Sequence, residues 1–167
     1  MIANRHGGHA KRSKAKASKG SSRSRLPDVA VPSEPGVYLV IRDSQSTPAF
    51  NRHSTAGRFK GREPSVEIAQ LEAAWVEGPS VLYIGMAAPG KSGRRGLSKR
   101  LDEHRRHGQG EPVGHWGGRY GWQLADPESL MVCWKPTPDG DPATLETEMI
   151  INFVADFGQL PFANLRH

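Results

Sequence analysis

Apolar positions along the chain follow two periods. Residues 36–41 read Gly-Val-Tyr-Leu-Val-Ile. Alternation puts Val37, Leu39 and Ile41 on one side and Tyr38 and Val40 on the other, as in a strand. Residues 81–86 repeat the arrangement, with Leu82, Ile84 and Met86 opposite Val81, Tyr83 and Gly85. If the two strands pair, both tyrosines share one face, and the other face is an aliphatic layer suited to a covering helix. A third apolar run, 130–134, predicts a third strand. Helical spacing appears in three places. Ile68, Leu71 and Trp75 predict a short helix over 65–76, with Ser65 as its cap. Leu97, Leu101 and His104 line one side of a helix over 97–107, with Arg100 bordering that stripe. Asp141-Pro142 is a strong helix start, a capping side chain followed by proline at the first position, and Gly158 closes that helix after Phe157. On its wheel Leu145, Met149, Ile150, Phe153 and Phe157 share a side. Glu146 falls in the middle of that side and Glu148 falls opposite.

The connecting stretches are polar. Residues 43–64 form a long loop with Arg52, Arg58, Lys60 and Arg62; loops of this length are functional or mobile. Residues 111–123, EPVGHWGGRYGWQ, are aromatic and Gly-rich without a period. They either lay His115, Trp116, Tyr120 and Trp122 over the sheet or stack nucleobases.

Glycines 85–96 bring in chemistry. Residues 85–92, GMAAPGKS, fit the phosphate-cradling G-x4-G-K-S loop letter for letter, and a strand precedes them. A phosphate loop opens a helix at its Lys-Ser pair. Here Gly93 and Gly96 follow Lys91-Ser92, and each costs about 1 kcal/mol in a helix relative to alanine. The later strand ends in Lys135, where a nucleotide site needs an acid for its metal. Nucleotide binding is thus the weaker reading of this stretch.

Charge is unevenly placed. The chain of 167 residues has 23 Lys and Arg against 17 Asp and Glu. Eight of the basic residues and no acid fall within residues 1–25, so the remainder is net −2. The tail is Ser, Gly, Ala and Lys, too poor in large apolar residues to offset its ordering entropy, and is expected to be disordered over 1–33. Such an arm either holds nucleic acid through its phosphates or serves as a solubilising leader. The single cysteine, Cys133, excludes an internal disulfide and reads as a small buried hydrophobe. No CxxC, HExxH or membrane-length apolar run occurs. No secretory signal is visible, so a cytoplasmic protein is expected.

Lys91, Arg94, Arg95, Lys99, Arg105 and Arg106 surround the 97–107 helix and are candidates for touching phosphate. Arg100 lies against the apolar stripe and needs a partner. Glu146, directed inward, either pairs with Arg100 or ligates a metal.

Five features in order resemble the GIY-YIG endonuclease superfamily: Gly36-Val37-Tyr38, Tyr83-Ile84-Gly85, Leu97-x-x-Arg100-Leu101-x-x-His104, Glu146-x-x-Met149-Ile150 and Pro161-x-x-Asn164. They span residues 34–167. Val37 replaces an isoleucine, and the Gly-rich stretch before the arginine helix is an insertion. The resemblance implies an α+β fold, a small three-stranded antiparallel sheet flanked by helices. It also implies hydrolysis of nucleic-acid phosphodiesters, DNA ahead of RNA, with one divalent cation such as Mg2+. By resemblance, Glu146 is the metal ligand and Arg100 stabilises charge on the phosphoryl oxygens. Tyr38 is the base toward water if cations lower its pKa, and Tyr83 positions water or phosphate. His104 relays the proton, and Asn164 orients Glu146 or the backbone. The same fold binding nucleic acid without cutting it is the alternative.

Overall fold

The computed structural model describes residues 30–91, 93 and 95–165, together with the backbone of 22–24. Arg94, Ser92 and most of the basic tail lie outside the described residues, as does the expected disorder of that tail.

Three antiparallel strands form the body of the sheet, as the α+β expectation required. They are β2 (Gly36–Ile41), β3 (Val81–Ala87) and β4 (Met131–Pro136), with β2 in the centre. Their β-branched and aromatic side chains suit a pleated surface buried on both faces. A short strand, β1 (Ser22–Ser24), pairs with β4 on the outer side. It lies within the stretch expected to be tail, so the sheet has four strands in the order β1-β4-β2-β3.

Tyr38 pairs with Gly85 and Val40 with Tyr83 across β2 and β3. The register then slips, and Ile41 pairs with Val81. This bulge overturns the strict alternation expected at the start of β3. Leu82 packs into the tyrosine-side core and Val81 packs with Ile84 on the opposite side.

Helix α3 (Pro142–Phe157) covers the aliphatic face. Asp141 caps it, accepting from the backbone N–H groups of Ala143 and Thr144 at 3.1 and 3.3 Å, and Gly158 ends it at φ 75°. Ile150 and Phe153 are buried against Ile84 and Val76. Phe157, on the last turn, is exposed and packs its ring against that of Phe153 at 4.6 Å. The helix lies over β3 and β2 and leaves β4 less covered, so Cys133 is half-buried and not fully buried as expected.

The tyrosine face is covered by helix α2 (Leu97–Gly108), by residues 111–125 and by the C-terminal segment. Leu97, Leu101 and His104 are buried, as their spacing predicts. Helix α1 is shorter than expected, Ile68–Ala74. Ser65 does not cap it; its hydroxyl donates to Glu63 and accepts from the Ser54 N–H. The long 43–64 loop is pinned down. Buried Gln123 accepts from the Val66 N–H and donates to the Asn51 and Val66 carbonyls. The Asn51, Thr55 and Gly57 N–H groups donate to Gln123, Trp122 and His107 carbonyls at 2.8–3.0 Å. Among the described residues no helix is long and apolar enough to cross a membrane.

Candidate active site

A cleft of about 280 Å³ opens between the sheet and its flanking elements. Its lining comes from five places in the sequence: Tyr83 on β3, Arg100 on α2, Trp116 and Gly117 in the aromatic stretch, Glu146 and Ile150 on α3, and Asn164 and Leu165 near the C-terminus.

Tyr38 lies behind Tyr83. The rings are 5.9 Å apart, with Tyr38 1% and Tyr83 8% exposed. Both stand over Gly85. A Cβ on that residue would lie 2.6 Å from Tyr83 Cε1 and 2.7 Å from Tyr38 Cζ, so only glycine fits there. Burial raises Tyr38 well above its ordinary pKa, Tyr83 adds to this, and Arg100 pulls the other way. Burial raises Tyr83 too, and Arg100 again opposes it. The lowered pKa that the base role of Tyr38 calls for is therefore reversed: loss of water outweighs the nearby cation.

The hydrogen-bond partner of Tyr38 is His115, at 2.8 Å from Nε2. Nδ1 of His115 lies 2.7 Å from the Gly117 carbonyl, which can only accept. Nδ1 thus carries the proton, and Nε2 accepts from the Tyr38 hydroxyl. His104 has a different setting. It is buried, its Nδ1 lacks a partner, and its ring lies against those of His115 at 4.6 Å and Trp122 at 4.7 Å. Burial, then His107 and Arg100, lower its pKa to about 3. It is not in the lining of the cleft but lines a separate groove with Arg105 and Trp122, and its ring lies 6.5 Å from that of Tyr38.

Arg100 is three-quarters covered. Its Nη1 donates to Glu103 at 3.4 Å and to the Gly114 carbonyl at 3.3 Å. Glu103 is buried and also binds Arg95 at 2.6 Å. Of the two readings of Glu146, the pair with Arg100 does not form. Arg100 pairs with Glu103, and among the described residues Glu146 is in no ion pair. Glu146 is half-buried while Glu148 is exposed, as the helix wheel predicts. Burial raises the Glu146 pKa, with Arg100 and the Met86 N–H opposing. A partly desolvated carboxylate at the wall of an open cleft, with no cation of its own, fits a hard divalent cation. Mg2+ is commonly held by one or two carboxylates, with waters and substrate phosphate completing its shell. Among the described residues no cluster of three His, Cys, Asp or Glu offers a fuller ligand set.

Asn164 clamps the outer edge of β3. Its Oδ1 accepts from the Ile84 N–H and its Nδ2 donates to the Ile84 carbonyl, both at 2.9 Å. The Ala163 N–H donates to the Leu82 carbonyl alongside. Asn164 thus holds the backbone next to Tyr83.

The expected phosphate-binding residues divide. Lys91 and Lys99 are exposed. Arg95 lines a depression of about 270 Å³ with Gly90, Gly96 and Arg100, and Arg100 lines the cleft as well. Arg105 pairs with Asp102 at 2.8 Å, and Arg106 with Glu111 at 2.6 Å. Arg105 lines a separate groove with Thr55 and Trp122. The geometry departs from a phosphate loop's. Gly85 lies inside β3, paired with Tyr38, and α2 begins at Leu97, well past Lys91.

His115, Glu103 and Trp116 belong to the site without having been singled out for it by sequence. Glu103 had a signal, its i, i+3 spacing from Arg100. His115 had none, since its partner Tyr38 is 77 residues away. The chain matches no family model, no curated protein and no solved structure.

Proposed function

We infer that the protein is a metal-dependent nuclease that hydrolyses nucleic-acid phosphodiesters, DNA ahead of RNA, on the plan of the GIY-YIG endonucleases. One observation carries this reading: Tyr83, Arg100, Glu146 and Asn164, far apart in sequence, line one cleft, with Tyr38 directly behind.

The chemistry follows from the residues. A divalent cation held by Glu146 would polarise the scissile phosphate as a Lewis acid. Arg100, aimed by Glu103 and the Gly114 carbonyl, stabilises the charge that develops on the phosphoryl oxygens. Tyr83 faces the cleft and takes the proton of the attacking water. Tyr38 is too buried to meet that water itself. Its hydroxyl already donates to His115, which leaves the Tyr38 oxygen able to accept from Tyr83. The proton passes from water to Tyr83, from Tyr83 to Tyr38 and from Tyr38 to His115 Nε2, and both phenols stay neutral. The Gly117 carbonyl then stabilises the imidazolium through Nδ1. Burial, then His104 and Arg100, hold the His115 pKa down, and a bound phosphate offsets the Arg100 part.

The test is incubation with supercoiled plasmid, with and without Mg2+. The parent should nick or linearise plasmid only with the cation. Glu146→Ala should abolish cutting, and Glu148→Ala should leave it within about twofold, as is usual for surface changes. Equal loss from both, or no cutting by the parent, would sink the reading.

A further inference from the structure

Trp116 carries a guanidinium group from each of two distant segments. The Cζ atoms of Arg62 and Arg119 each lie 4.7 Å from its ring centroid. Arg119 also lies over Tyr120, at 5.1 Å. Trp116 itself lines the cleft that holds Glu146 and Arg100.

Two like charges brought to one indole repel each other, and among the described residues no acid pairs with either. Arg42, Arg58, Arg95, Arg105 and Arg106 each pair with a carboxylate. Among the described residues, Arg62 and Arg119 do not. Moreover, Nε and Nη1 of Arg119 are buried without a hydrogen-bond partner. Burial lowers the Arg119 pKa and Arg62 lowers it further, with Tyr120 opposing. Buried donors without acceptors are costly, so such a pair is stable in proportion to what the stacking returns and is ready for an anion. The planar donor fork of exposed Arg62 matches the two non-bridging oxygens of a phosphodiester, and Arg119 adds its positive charge beside it.

We propose that Arg62 and Arg119, held on Trp116, form a second phosphate site that takes a phosphodiester of the strand whose scissile linkage lies in the cleft. This rests on the nuclease reading and gives it a direction: the strand runs from Glu146 past Trp116. The stacking holds the two guanidinium groups in place before the strand arrives, which reduces the side-chain entropy lost on binding. A strand bound at both points is fixed in register, so the scissile phosphate is chosen by its distance from the second site and not by base identity.

The experiment uses the full chain with EDTA in place of Mg2+, so that binding is read without cutting. Oligonucleotides carry a single neutral methylphosphonate, stepped along the strand. At one position near the cut site the neutral linkage should weaken binding by the parent. It should cause no further loss in the Arg62→Met, Arg119→Met double variant, because the contact is already gone. Each single variant should also reduce the slope of log K against log[salt] by about 0.9 on duplex DNA. Arg62 is exposed, so Arg62→Met carries the test if Arg119→Met fails to fold. Losses that add at every position, or a salt slope unchanged in the variants, overturn the site while leaving the nuclease reading intact. A parent that binds no oligonucleotide overturns both.

Discussion

Acidification should destabilise this protein well before its carboxylates are protonated. His104, His107 and His115 are all buried, and burial lowers the pKa of each. For His104 the value falls from 6.5 to about 3. The sign follows from proton counting. Below 6.5 the unfolded chain takes up a proton on each of these rings and the folded chain does not, so stability falls as pH falls. Once the unfolded ring is charged, His104 contributes a slope of about 1.4 kcal/mol per pH unit, or about 1.6 kcal/mol between pH 6.5 and 5, and His107 and His115 act in the same direction. The His104 part alone is an appreciable share of the stability of an ordinary domain, about 5–15 kcal/mol. Glu146 acts in the opposite sense, since its pKa is raised, but one half-exposed carboxylate does not offset three buried rings. Urea denaturation at pH 7, 6 and 5 measures the slope directly. His104→Leu, which keeps the volume and removes the titration, should reduce it by about 1.4 kcal/mol per pH unit once the unfolded ring is charged. A stability that changes by less than about 1 kcal/mol over this range, or a slope unmoved by His104→Leu, would refute the reasoning.

Four further outcomes follow from the site and its surroundings. Gly85→Ala should cost about 1–3 kcal/mol by overpacking and should reduce cutting more than DNA binding, because the new methyl displaces both phenols; thermal melts and plasmid assays check it. Tyr38→Phe and His115→Gln should each lower kcat about 100-fold or more with DNA affinity kept, and the double variant should be little worse than either; additive losses would break the relay. Arg100→Ala should lower kcat about 100- to 1,000-fold with binding retained. Lys91→Ala, on an exposed loop, should cost at most about fivefold in binding; ATP binding by the parent that is lost with Lys91→Ala would favour the phosphate-loop reading instead.

Local rules made much of the fold legible. Asp141-Pro142 and Gly158 bound α3 because capping is a matter of a few neighbouring atoms. The inward turn of Glu146 and outward turn of Glu148 follow from helix geometry, and the shared tyrosine face follows from strand alternation. Where the expectation failed, a distant partner had intervened. The slip between Val40 and Ile41 moves Leu82 across the sheet, and nothing in the order Val-Leu-Tyr announces it. Ser65 has the chemistry of a cap, but Glu63 and Ser54 use its hydroxyl.

The histidines show why the site itself was harder to read than the fold. His104 stands at helical spacing from Leu97 and Leu101, so its burial was predictable; what burial does to it was not. A ring with no hydrogen-bond partner at Nδ1 in an apolar setting is a poor carrier of protons at neutral pH. His115 is equally buried and its pKa is also lowered, but both its nitrogens have partners. The Gly117 carbonyl fixes the tautomer, and the tautomer decides that Nε2 faces Tyr38 as an acceptor. The difference between a packing histidine and a proton acceptor therefore rests on one carbonyl, placed by a loop whose glycines let it pass close to Tyr83: a Cβ on Gly117 would lie 2.6 Å from the Tyr83 hydroxyl oxygen. Composition showed that loop to be aromatic and Gly-rich; only the packed chain shows that its glycines make room for Tyr83 and that its carbonyl orients His115 behind Tyr38.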